Sequence, residues 1–223
     1  GLFNFCGTTI SSLYMDILKD RLYCSAPNGP ERRAAQTVMY RILDGLLRLM
    51  GPVLCFTAAE AWEHLHGLGD KDPLDRSVFF ATFPAVDDIV ADAAFDERWS
   101  RLLSLRSAIT RVLETARRDK LIGLSLDAEV VLRVNADWQA FLVDSLPLVQ
   151  ELCIVSNLRL QAAGDEDLVF TGTEGLDGVA IAVRPAPGGK CERCWTFATS
   201  VGADADHPTL CARCARVVRQ LAA

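Results

Sequence analysis

No apolar run in the 223 residues approaches the roughly 18 that a membrane-spanning helix needs, because Lys, Arg, Asp and Glu interrupt every candidate. A membrane partner is therefore not expected. There is no Gly-rich phosphate loop, and with only three His residues no Ser, His and Asp can be ordered into a triad. No paired carboxylates sit in an apolar stretch, so no catalytic centre is expected in this chain. Internal repeats and low-complexity tracts are absent as well. The start, Gly1-Leu2-Phe3-Asn4-Phe5-Cys6, lacks an initiator Met, a basic n-region and a small-residue cleavage site. It reads as a cut inside a longer protein, not as a secretion signal.

What remains is ordinary globular material, 50% hydrophobic and 23% charged, which excludes a wholly disordered chain. The net charge of -6 conceals an asymmetry. Residues 1–90 carry 8 basic against 11 acidic side chains, and residues 91–187 carry 10 against 15. Residues 188–223 carry 5 against 3, so the last segment alone has a positive balance.

Apolar residues at Ile10, Leu13, Tyr14, Ile17, Leu18 and Leu22 follow a helical period, and Ala26-Pro27-Asn28-Gly29-Pro30 stops it. A second helix is expected from about Glu31 to Met50, with Val38, Ile42, Leu46, Leu49 and Met50 on one face. Gly51-Pro52 ends or kinks it. Thr57-Ala58-Ala59-Glu60 has the form of a capping box opening a third helix through Leu65. Three such faces want more partners than the chain supplies, so residues 1–90 read as part of a helical bundle. After a loop at 66–75 and an acidic linker at 83–92, a long helix is expected from Asp96 to Lys120. Its predicted buried stripe is Trp99, Leu102, Leu103, Ile109, Val112, Leu113 and Ala116. The period then shortens: strands are predicted at 129–134, 152–155 and 178–183, with 168–170 as a fourth, and a short helix at 136–145. Residues 91–187 thus read as α+β, and residues 185–189 as a hinge.

The tail carries Cys191-x2-Cys194 and Cys211-x2-Cys214, separated by 16 residues. Each pair turns two sulfurs to one point, and two pairs close a tetrahedron around one ion. Thiolates select zinc over hard cations, and four of them leave no open position, so the zinc is structural. Metal binding of this kind contributes on the order of 10–16 kcal/mol to a segment too short to fold by burial alone. Two disulfides, a redox Cys pair and an iron–sulfur cluster are the competing readings. Cys6, Cys24, Cys55 and Cys153 sit among apolar neighbours and read as small buried hydrophobes.

Trp195 directly follows Cys194, with Arg193 on its other side. An indole held on a metal knuckle can stack on an unpaired base while Arg193 meets a phosphate; the alternative is that Trp195 only covers the sulfurs. Arg213, Arg216 and Arg219 mark one face of a terminal helix, either phosphate-facing or simply solvated.

Asn4-Phe5-Cys6, Leu13 through Tyr23, Arg32-Arg33, Gln36-Thr37, Tyr40 and Met50 through Trp62 resemble the anticodon-binding helical domain of bacterial isoleucyl-tRNA synthetases. Arg106, Glu114, Ala116-Arg117 and Leu121 through Val130 resemble the segment after it, and Gly189-Lys190-Cys191-Glu192-Arg193-Cys194-Trp195 is similar to that family's C-terminal zinc finger. Formamidopyrimidine-DNA glycosylases end in a similar finger, but nothing upstream resembles them. The resemblance implies a mainly α, multi-domain chain. It comprises a partial anticodon-binding bundle at 1–90, incomplete at its N-terminus, an α+β junction domain at 91–187 and a four-cysteine zinc ribbon at 188–223. It implies the C-terminal, cytoplasmic part of an isoleucine–tRNA ligase, gripping the anticodon arm of tRNA(Ile). ATP and the catalytic and editing chemistry would belong to missing N-terminal domains, leaving this fragment inactive alone. Under it Cys191, Cys194, Cys211 and Cys214 hold one Zn2+, Arg193 and Trp195 are the leading RNA contacts, and Lys19, Arg21, Arg117 and Lys120 are further ones. The competing class is a zinc-ribbon module that binds protein or nucleic acid without a ligase role.

Overall fold

The computed structural model describes residues 1–69, 74–85, 92–172 and 176–222. The chain divides into two compact units, one formed by Gly1–Ala26 together with Ala93–Ala223, the other by Pro27–Asp92. These units cut across the segment boundaries expected from the sequence, because the first helical stretch belongs with the later part of the chain. Parts of the expected loop at 66–75 and linker at 83–92 lie outside the described residues.

The first unit opens with a short helix α1 (Leu2–Asn4), wider π-helical turns over Phe5–Met15, and α2 (Asp16–Cys24). In the wide segment the Ser12 hydroxyl donates to the Gly7 carbonyl five residues back, at 2.8 Å. The second unit contributes α3 (Pro30–Met50) and α4 (Cys55–His66) before the chain returns to the first. There the long helix α5 (Ala93–Arg118) is followed by β1 (Ala128–Val134), α6 (Ala136–Leu142), α7 (Leu146–Cys153), β2 (Asn157–Leu160), β3 (Thr171–Gly172) and β4 (Val179–Pro185). The sheet order is β2-β1-β4-β3. β1 and β2 are parallel, with α6 and α7 making the crossover that a parallel pair requires; β4 runs antiparallel to both β1 and β3.

The face of α5 laid on this sheet is Leu102, Leu105, Ala108, Ile109, Leu113 and Ala116, all buried with Val130, Leu132 and Ile181 of the strands. Leu105 replaces Leu103 of the expected stripe, which is 39% exposed. The predicted strand at 152–155 is instead the end of α7. Pro147 fits the first turn of that helix, and Val149 and Leu152 are buried along it. Ile154 takes a left-handed conformation as its cap, with φ 55°, and the strand begins only at Asn157. At 168–170 no strand forms; the pairing falls on Thr171–Gly172. Asn135 caps α6 by accepting from the Trp138 N–H at 3.0 Å. Gly178, at φ +79°, packs so closely there that a Cβ would meet Asn135 Nδ2 at 2.1 Å.

Glu129 is buried at the centre of the sheet, and Arg184, Arg159 and Asn157 satisfy it from the flanking strands. Arg159 also makes a two-pronged contact with Asp165, at 2.6 and 2.7 Å.

In the second unit, α3 and α4 pack around Leu47, Ala58, Trp62 and Val78. Pro30 occupies the first turn of α3, where its missing N–H costs nothing. The expected capping box at Thr57 does not form. The chain folds back earlier, with Leu54 N–H bonded to the Met50 carbonyl at 2.8 Å and Ala58 N–H to the Leu54 carbonyl at 2.8 Å, so Thr57 is already inside the helix. Val38 and Leu49, expected on the buried face of α3, are each 42% exposed. No helix among the described residues is long and apolar enough to cross a membrane.

Candidate zinc centre and nucleic-acid interface

The ribbon is built on a two-stranded hairpin, β5 (Gly189–Lys190) against β6 (Phe197–Ala198), and on α8 (Ala212–Ala222). Gly188 allows the hairpin to close: at φ +94°, any Cβ would fall 2.4 Å from the Ala198 carbonyl carbon. The first knuckle is tied by Cys191 N–H to the Thr196 carbonyl at 3.0 Å and by Trp195 N–H to the Cys191 carbonyl at 2.9 Å. The second knuckle sits at the start of α8, with Cys211 just before the helix and Cys214 in its first turn.

The ligand atoms of Cys191, Cys194, Cys211 and Cys214 all lie within 4.8 Å of one another. A tetrahedral zinc with Zn–S bonds of about 2.3 Å requires sulfurs about 3.8 Å apart. Cys194 and Cys211 sulfurs stand 3.8 Å apart, so the donor set fits that ion. Burial opposes ionisation of the Cys191 thiol, but the backbone N–H groups of Cys194, Cys211 and Arg193 outweigh it and hold the thiol at about 6. Burial pushes the Cys211 and Cys214 thiols up, the cost that a cation in the centre would offset. All eight cysteines are free thiols. Cys24 and Cys153 are buried, where burial raises their thiols to about 11 and about 12, as small interior hydrophobes. Cys55, by contrast, is exposed.

Trp195 is not sealed over the sulfurs. It is 58% exposed and sits at φ +64°, a left-handed turn that a bulky residue seldom adopts. Arg193 points elsewhere: its guanidinium donates to the carbonyls of Cys24 at 2.7 Å and Tyr23 at 3.2 Å, and approaches Cys214 Sγ at 3.7 Å. Arg21 is paired with Glu151, and Lys19 with Asp16 at 2.6 Å on a solvent-facing turn. In the terminal row, Arg213 grips Asp20 and Arg219 grips Asp204, while Arg216 is exposed.

Arg117 and Lys120 do come together, in an open groove of about 480 Å³ whose other walls include Leu121, Asp127, Pro185 and Phe197. Helix α5 ends there because Lys120 turns left-handed at φ 60° and Leu121 N–H reaches back to the Ala116 carbonyl at 2.9 Å. Arg117 is already held by Glu114, the Gly123 carbonyl and Ser125, whereas Lys120 is exposed. Lys190 lies 5.9 Å over the Phe197 ring. Neither Lys190 nor Phe197 is among the contacts expected from the sequence; the only signal was their position flanking the first knuckle.

Residues 1–132 match the family described as the anticodon-binding domain of tRNA ligase. The chain belongs to that family. Residues 188–217 match a zinc finger found in FPG and IleRS. Among curated proteins the chain is similar to the isoleucine–tRNA ligase of Desulfotalea psychrophila, 48% identical over 97% of this chain and 23% of that protein. It is also similar to that of Desulfitobacterium hafniense, 44% identical over 98% and 23%, and to that of Geobacter sulfurreducens, 41% over 96% and 22%. The chain thus spans less than a quarter of the length of these relatives. A free-standing zinc-ribbon adaptor would leave the family match of residues 1–132 unexplained.

Proposed function

We propose that this chain is the tRNA-gripping C-terminal part of an isoleucine–tRNA ligase, acting on the anticodon arm of tRNA(Ile) in the cytoplasm. ATP-dependent isoleucylation and editing belong to the remainder of the longer protein. In this reading residues 1–90 contribute part of the anticodon-binding bundle, 91–187 the α+β junction and 188–223 the ribbon. Cys191, Cys194, Cys211 and Cys214 hold one structural zinc, which supplies folding energy and no chemistry of its own.

The observation that carries the reading is Trp195: a large ring, exposed, on a backbone turn fixed by a metal knuckle. Anticodon bases are unpaired and offer π-faces, so an exposed aromatic on a rigid support is the complementary surface. The groove with Lys120 and Phe197 supplies a cation and a second aromatic for the backbone and a neighbouring nucleotide. Arg117 lines it in a supporting role, Arg193 and Arg21 tie distant segments of the chain together, and Lys19, on a solvent-facing turn, is a further cation for the sugar–phosphate backbone.

The test compares the zinc-loaded chain with tRNA bearing the isoleucine anticodon and the same tRNA with an altered anticodon. Tighter binding to the first is expected. Equal affinities that persist at moderate salt would refute anticodon readout and leave only phosphate attraction.

A further inference from the structure

We infer that Arg193 is a positioning residue that couples the metal centre to helix α2, so that loading the four-sulfur site fixes the end of that helix. The inference rests on the zinc reading above and goes beyond it. Helix α2 ends at Cys24 with Ser25 already extended, at ψ 163°, and no glycine in a left-handed cap. Its last carbonyls therefore need outside donors. Arg193 supplies them, with one guanidinium nitrogen 2.7 Å from the Cys24 carbonyl and the other 3.2 Å from that of Tyr23. A cation here also meets the negative end of the helix dipole.

The nitrogen that serves Cys24 lies 3.7 Å from Cys214 Sγ. One planar group thus touches a metal-site sulfur and a helix end at once. Cys24 returns the contact by donating its thiol to the Arg193 carbonyl at 3.7 Å. A second tie lies beside it: Arg213, one residue before Cys214, holds Asp20 one turn up the helix, at 2.6 Å. A zinc with four thiolates carries two net negative charges, which Arg193 and Arg213 face from the α2 side. The ion fixes Cys191 and Cys194, the two ends of the knuckle that carries Arg193, and Arg193 fixes the helix end. The sequence separation of 169 residues makes this link invisible to local pattern reading.

The test uses the full chain loaded with cobalt in place of zinc, as wild type, Arg193→Ala and Arg193→Lys. Three quantities are read: metal per chain, the cobalt–thiolate charge-transfer band, and amide exchange across residues 16–25. Arg193→Ala is expected to keep one metal per chain, shift the band, and speed exchange at the end of α2 by about tenfold. Chelating the wild type should speed the same amides by a similar factor, with little further effect in Arg193→Ala. Arg193→Lys, able to reach one carbonyl, should fall between. An unshifted band with unchanged exchange in Arg193→Ala overturns the coupling while sparing the metal site. Wild type that takes up no metal overturns both.

Discussion

Replacing Trp195 tests the proposed interface most directly, because the structure separates its stacking role from any packing role. More than half of the ring is exposed, so Trp195→Ala removes little buried surface and stability is expected to change by less than about 0.5 kcal/mol. A buried ring such as Trp138, at 6% exposure, would instead cost about 3–5 kcal/mol on truncation to Ala. One base stacked on an aromatic side chain contributes about 1–3 kcal/mol, so RNA affinity should fall about 5- to 150-fold. Trp195→Gly sharpens the experiment: the left-handed turn costs a residue with a Cβ about 1–2 kcal/mol, so Gly should stabilise the knuckle while losing the same affinity as Ala. Fluorescence anisotropy with an anticodon stem-loop RNA at fixed salt gives the affinity, and zinc content and thermal unfolding give the controls. Unchanged affinity with zinc retained would refute stacking. A loss of stability matching the loss of affinity would assign the ring to packing.

The groove makes a different prediction: Lys120→Ala should weaken single-stranded RNA binding at every sequence and flatten the log–log salt dependence by about 0.7, one phosphate's worth; an unaltered slope would remove Lys120 from the contact surface. Ser156 joins the sheet to the ribbon, donating to the Leu126 carbonyl and accepting the Phe197 N–H at 2.7 Å. Ser156→Ala should cost about 1–3 kcal/mol by orphaning these groups, visible as a lower Tm by calorimetry, and an unchanged Tm would contradict it. Asp165 is held below its ordinary 3.8 first by hydrogen bonds from Arg159 and then by the Ala162 N–H. A depressed carboxyl contributes stability above its unfolded value, lost as pH falls toward the folded one. Wild type should therefore lose stability below about pH 4 more steeply than Asp165→Asn, and parallel acid-unfolding curves would contradict the assignment.

Helix positions and the ribbon were legible because their signals are local. A 3.6 period shows α5, Pro30 marks the start of α3, and two Cys-x2-Cys pairs show a metal site without any knowledge of the fold. Misreadings arose where distant partners decide. Cys153-Ile154-Val155 looks like a strand by composition, but Pro147 and the sheet edge place it in and just after a helix. Leu103 and Leu105 differ by two positions on one helix, and only the sheet beneath determines which is covered. Arg193 reads as a phosphate contact from its place beside Cys194 and Trp195, but nothing local announces the carbonyls it meets, 169 and 170 residues earlier. A basic residue announces its charge but not its counterpart.

The discontinuity of the first unit bears on how the chain is made. Residues 1–26 emerge from the ribosome well before Arg193 and Arg213, which hold the end of α2. Until then the amphipathic stretch Ile10–Leu22 has only part of its native cover, from α7 and the core that Ile17 joins, and a nascent chain stalled before residue 190 leaves the end of α2 untied. The intervening stretch Pro27–Asp92 acts as a loop whose closure cost grows only as the logarithm of its length. Insertions within it that spare α3, α4 and their core around Leu47 and Trp62 should therefore be far better tolerated than any cut that removes residues 188–223.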